Sequence, residues 1–178
     1  MDISLKHIIG TVSLLGLMIS IGLSYAIITS YIEVDVTKQQ LSQISEYVSL
    51  NLVEMTNLCR LANRTMIKQI ELPNDLTGKA YGIKLLFSED EGYYVRCYLV
   101  SRENVFSDSF LPFNINPQES PVEFEIGSDV SELPIGDQDT QIFYSNLVYG
   151  GNDVVVWGAP LDEIRMHIGI GWIPQGGI

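Results

Sequence analysis

The chain has 178 residues, 22 Asp and Glu against 10 Lys and Arg, a formal net charge of -12 and 46% hydrophobic residues. A polyanion of this kind repels nucleic acid and anionic headgroups, so neither is an expected ligand of its polar part. The apolar content excludes a disordered chain, and the stretch after residue 70 is long enough for one small domain with its own core.

Beyond a short N-terminal segment, residues 1–7, the stretch from Ile8 to Ile32 is an unbroken apolar run without Asp, Glu, Lys or Arg. As a helix it would extend roughly 37 Å, more than the ~30 Å hydrocarbon core of a bilayer. A transmembrane helix is therefore expected. A secretory signal peptide competes, because Ser24-Tyr25-Ala26 is a small-x-small site and Lys6 supplies a minimal basic region. The run continues past that site through Ile27, Ile28, Tyr31 and Ile32, beyond the usual signal core of about 7–15 residues. Lys6, His7 and the terminal amine precede the run, whereas Glu33 and Asp35 follow it. That asymmetry favours a cytoplasmic N-terminus and an extracellular bulk. Small residues stud the run at four-residue spacing, Gly16, Ser20 and Ser24 in one row and Gly22, Ala26 and Ser30 in another. Such rows let helix backbones approach closely in lipid, which suits a helix that packs against copies of itself.

From Asp35 the pattern turns amphipathic. Leu41, Ile44, Val48, Leu52, Met55, Cys59, Ala62 and Met66 recur at steps of three and four. No Gly or Pro interrupts residues 23–72, so the spacing predicts one rod from about Ser4 to about Ile67, up to ~95 Å long, with residues 33–69 as its amphipathic continuation. Leu72-Pro73-Asn74-Asp75 ends it. The stripe must be covered by the chain's own β region, by neighbouring rods or by both, and it reads as more than one small sandwich needs. A coiled-coil dimer is the plain alternative. Asn63-Arg64-Thr65 is a glycosylation sequon near the helix end.

After Pro73 the alternation becomes two-fold, and residues 70–178 read as an extracellular β domain. Strands are expected at Ala80–Phe87, Gly92–Val100, Val122–Ile126, Gln141–Tyr149, Val154–Trp157 and Ile164–Trp172. Turns are expected at Ser88–Glu91, Leu111-Pro112, Asn116-Pro117, Leu133–Gly136, Gly150–Asp153 and Gly158-Ala159-Pro160. The fold class is therefore α+β, a long N-terminal helix with a transmembrane and an amphipathic half, followed by an antiparallel sandwich-like or open-barrel domain.

Chemistry-bearing constellations are few. Cys59 and Cys97 would be permitted to pair outside the cell, closing a loop of roughly 40 residues for about 3–4 kcal/mol in the chain-entropy model; two free buried thiols are the alternative. Acidic groups at Ser88–Glu91 and at Asp129, Glu132, Asp137 and Asp139 lack the spacing of a calcium loop and read as solvated turns. No metal or cofactor is expected. His7 sits at the apolar edge and His167 in a strand-like run, and no nucleophile elbow, HExxH or phosphate loop occurs, so no catalytic residue is assigned.

An apolar N-terminal helix that merges into an amphipathic one and then carries a β domain resembles archaeal type IV pilin-like proteins, which include archaellins and pilus subunits. The stretch Leu72-Pro73-Asn74-Asp75-Leu76-Thr77-Gly78-Lys79-Ala80-Tyr81-Gly82-Ile83-Lys84-Leu85 also resembles the junction between helix and first strand common in such surface proteins. The likeness covers the first 85 residues well and the rest as general β character. It implies a non-enzymatic surface-filament subunit, major or minor, whose helices form the core through residues such as Ile8, Leu15, Ile19, Ile27 and Ile28. It also implies a cleaved basic leader, for which Lys6/His7 is the only fitting junction. The family's leaders typically end in Lys or Arg followed by Gly or Ala, and the Glu often found early in bacterial mature pilins is absent from Ile8–Ile32. The expected partners are copies of the same chain and the membrane, with S-layer or host-surface components beyond them. The rival reading is a single-pass accessory or receptor protein, and a third is a secreted β-domain protein released after Ala26.

Overall fold

The computed structural model describes residues 2–113, 122–126, 131–132, 143–161 and 165–173. The chain divides into two compact units, Met1–Thr37 and Lys38–Ile178. All the described structure of the first unit is helix, the front of α1 (Asp2–Ala62), whose remainder opens the second unit. The absence of Gly and Pro after Gly22 leaves α1 without an internal stop.

The helix ends earlier than its periodicity predicts. Asn63 takes a left-handed conformation, φ 47°, and its N–H donates to the Cys59 carbonyl at 2.9 Å, a C-terminal cap that Asn tolerates better than most residues. The expected rod to Ile67 is corrected accordingly. Met66 and Ile67 belong to strand β1 (Met66–Gln69), which pairs antiparallel with β9 (Asp153–Pro160) from Met66↔Gly158 to Gln69↔Val155.

The α+β class holds, with two mostly antiparallel sheets among the described residues. The first runs β1, β9, β10 (Met166–Ile173), β7 (Phe143–Tyr144) and β6 (Ser131–Glu132). A short strand, β5 (Val122–Phe124), pairs parallel with the start of β10. The second runs β4 (Arg102–Phe110), β3 (Gly92–Leu99), β2 (Tyr81–Ser88) and β8 (Leu147–Tyr149).

The hairpin β2–β3 lies where alternation places it, with Ser88 pairing Gly92 around the acidic turn. Three expectations change. The run Gln141–Tyr149 is two strands rather than one: β7 joins β10 while β8 joins β2, so the chain crosses between sheets at Ser145-Asn146. Gly158-Ala159-Pro160 is the end of β9 and not a turn. Arg102–Phe110, unassigned by its sequence, is the edge strand β4. The expected turns at Asn116-Pro117 and Leu133–Gly136 lie outside the described residues, as do Ile164 and the acidic residues Asp129, Asp137 and Asp139.

The core of the second unit is built around the helix. Leu41, Ile44, Val48, Leu52, Met55 and Cys59 are all buried, as are Val154, Val156, Ile168 and Ile170 on β9 and β10. The helix reaches the sheet at Gly158, where a Cβ would stand 2.5 Å from Cys59 Sγ and 2.8 Å from Ile168 Cδ1. The buried arc is wider than the apolar stripe because small polar residues return their hydroxyls to the helix backbone. Ser45 Oγ donates to the Ser42 carbonyl at 2.9 Å, and Thr56 Oγ1 donates to the Leu52 carbonyl at 2.9 Å. On the second sheet Tyr81, Ile83, Leu85, Val95, Cys97 and Leu99 form the inner layer. Tyr93 of that sheet meets Phe124 of the first at 4.7 Å between ring centroids.

Candidate functional site

The first unit presents an apolar surface with nothing on it. Fifteen large apolar side chains between Ile8 and Ile32 are each more than half exposed, and the helix is long and apolar enough to cross a membrane. The residues singled out by the sequence, Ile8, Leu15, Gly16, Ile19, Ser20, Gly22, Ser24, Ala26, Ile27, Ile28 and Ser30, all lie on α1 and are exposed. A Cβ added at Gly16 or Gly22 would meet no atom within 4 Å, so among the described residues these glycines serve no packing. At roughly 100° per residue, Gly16 and Gly22 point about 120° apart. The two rows of small residues therefore open two separate faces. Two faces leave room for two neighbours at once. The Lys6/His7 junction lies within α1.

The amphipathic stripe is not part of this surface. Leu41 through Cys59 are buried within the second unit, so the expected surplus of apolar stripe is absent and Ala62 alone of its helical members is exposed. Those buried residues add nothing to the exposed apolar surface, whereas Tyr47, Leu50 and Leu61 on other sides of α1 are exposed.

Asn63 is exposed at the end of α1, open to modification. Of the two alternatives for the cysteines, the structure shows free thiols and not the pair that an oxidising exterior would permit. Cys59 and Cys97 are free and buried, one on the helix against Gly158 and the other in the middle of β3. Burial pushes both thiols up, opposed at Cys59 by a weaker hydrogen bond with the Met66 backbone. Neither is a reactive thiolate at neutral pH. His167 on β10 has its Nε2 at 3.2 Å from Glu125 Oε2 and stands edge-on to Trp157 at 5.1 Å, a packing role beside a carboxylate. Of the acidic turn, Glu89, Asp90 and Glu91 are exposed to solvent.

A second surface escapes sequence reading because it depends on β4. Across the outer face of the second sheet, register aligns Asp108, Arg96 and Lys84 in one row. Aromatic rows flank it, with Phe110 beside Tyr94 on one side and Phe106 beside Tyr98 on the other. Arg96 Nε and Nη2 donate to the two carboxylate oxygens of Asp108 at 2.7 and 2.8 Å. This bidentate pair pushes the guanidinium pKa up, chiefly through the hydrogen bonds. The guanidinium lies 4.2 Å over the Phe106 ring, and Lys84 Nζ lies 4.7 Å over Tyr98. The signal available in the sequence was the alternation Phe106-x-Asp108-x-Phe110, with the aromatic side turned to solvent. No protein-family model matches this chain, and neither a curated protein nor a solved structure matches it.

Proposed function

We propose that this chain is a non-enzymatic subunit of a surface filament of the archaeal type IV pilin-like kind. It assembles through the apolar front of α1, with the acidic β unit turned to water. The observation that carries the reading is the run Ile8–Ile32, exposed on every side and bearing small residues on two faces about 120° apart. Large apolar side chains left in water are costly, at about 1.5–3 kcal/mol each, so this surface is covered by lipid before assembly and by sister helices after it. Close approach along the Gly16 row and the Gly22 row lets one helix hold a neighbour on each side. The net charge of -12 keeps the polar units hydrated and discourages indiscriminate association between them. Electron microscopy of sheared surface fibres, with mass identification of their subunits, tests the proposal. Finding the chain in fibres supports it; finding it in the membrane fraction and never in fibres refutes it.

A second reading, a single-pass accessory or receptor protein bound to an S-layer component, draws on one specific observation. The stripe Leu41, Ile44, Val48, Leu52, Met55 and Cys59 is buried inside the second unit, so that stripe demands no partner helix. Fractionation separates the two readings, because an accessory protein stays with membranes when fibres are sheared away.

A further inference from the structure

We propose that the outer face of the four-stranded sheet binds a carboxylate-bearing saccharide, a chain containing uronic acid units. The site goes beyond filament assembly and stands whether the chain polymerises or not.

The face is open. Phe106, Phe110 and Tyr149 are 40%, 49% and 45% exposed, whereas side chains of similar size on the inner face are buried. Large aromatic rings on the solvent side of a sheet are a cost unless something covers them. They are also organised. Tyr98, itself only 5% exposed, lies against Gly82, where a Cβ would come within 2.7 Å of its Cζ, so the absence of a side chain at Gly82 lets it lie beneath the exposed rings as their base. Tyr94 and Phe110 pair at 5.7 Å between centroids.

The size of the face selects the kind of occupant. Rows two residues apart along a strand are about 6.7 Å apart, and four strands span about 14 Å, so the three rows enclose roughly 190 Å². This footprint matches two or three sugar rings.

Its polar content selects the chemistry. Two of the five N–H donors of Arg96 are spent on Asp108 and three remain. Lys84 has no carboxylate within ion-pairing distance among the described residues, in a chain with 22 acidic groups. A purely apolar ligand would strand these donors, a loss that rivals the gain from the rings. A pyranose ring offers an apolar C–H face to the aromatic rows and hydroxyls to Arg96 and Asp108. The chain as a whole repels polyanions, but the row Asp108, Arg96 and Lys84 carries one net positive charge, which a carboxylate on a short sugar chain meets at Lys84.

The test is titration calorimetry of the full-length chain in neutral detergent against trimers of galacturonate, glucuronate and mannuronate, with maltotriose as the uncharged comparison. At least one uronate trimer should bind, and maltotriose should bind at least about tenfold more weakly. Phe110→Ala and Lys84→Met should each weaken uronate binding by about fivefold or more, and raised salt should weaken it further. Both side chains are on the outer face, so circular dichroism and Tm check that the variants fold; if one fails to fold, the other decides. No binding of any uronate trimer at about 10 mM overturns the proposal. So does equal binding of a short poly-glutamate, which would make the face a site for acidic peptide, or uronate binding that ignores both substitutions.

Discussion

Gly158→Ala should loosen the second unit at the contact between helix and sheet. The added Cβ would lie 2.5 Å from Cys59 Sγ, 2.8 Å from Ile168 Cδ1 and 3.3 Å from Met55 Cγ, whereas carbon and sulfur contacts are relaxed near 3.5–4 Å. The overlap with Cys59 is about 1 Å. Ile168 occupies part of the same space, so the helix must lift or two side chains must leave their preferred rotamers. Overpacking of this kind costs about 1–3 kcal/mol, offset by about 0.4–1 kcal/mol because Ala restricts the unfolded chain more than Gly. The net loss is about 1–2 kcal/mol, a fall of roughly 3–8 °C in Tm for a chain of this size. Thermal unfolding in detergent, followed by the circular dichroism of the buried Trp157, measures it. Thiol labelling gives a second readout, because a lifted helix exposes Cys59, which is buried in the parent. In the background Cys59→Ala the penalty should shrink, since the sulfur that the new methyl meets is gone. An unchanged Tm together with unchanged labelling would refute the close contact of α1 with β9.

Replacing Gly22 and Ala26 together with Leu should abolish fibres while leaving the Tm of the second unit within about 1 °C, since both lie in the first unit and are exposed; fibre counts by electron microscopy decide. Asn63→Gly should preserve the left-handed cap and Asn63→Ala should cost about 1 kcal/mol, with urea unfolding as the measure. Both variants should lose the same mass increment if the native Asn63 carries a glycan. Cys97 gives a pH dependence. Burial, with a smaller push from the Asp108 charge, holds its thiol protonated well above the ordinary range. The unfolded chain releases that proton near pH 8.5 while the folded chain keeps it, so the stability is fully present below pH ~8.5 and falls as pH rises, by up to ~1.4 kcal/mol per pH unit. Urea titrations at pH 7 and pH 10 should show a smaller alkaline loss for Cys97→Ala than for the parent.

What could be read from the sequence was what local pattern controls. The stripe from Leu41 to Cys59 identified the buried face of α1, and the alternation either side of Ser88–Glu91 identified β2 and β3. The end of α1 was hidden because apolar spacing runs through Met66 even though Asn63 has already turned the backbone. Strand β4 was hidden because its polarity is inverted: Ser107 and Ser109 register with the buried Cys97 and Val95, while Phe106 and Phe110 face water. The split of Gln141–Tyr149 depends on which sheet each half joins, a choice made by partners far away in sequence. The exposed front of α1 was legible in full, since its character is compositional. The outer aromatic face was not, because its rows exist only when three strands are in register.

Strand β10 holds the first sheet together, pairing β9 along one edge and both β5 and β7 along the other. It is also the last described strand, whereas the helix that covers this sheet is made first. During synthesis the sticky side of residues 41–59 must therefore wait, bare, until the ribosome has delivered β10. Such distant partners make closure slow and leave a half-finished chain prone to clumping. Were the front of α1 to enter a bilayer, as its apolar length allows, it would hold the nascent molecule apart from its siblings during that delay.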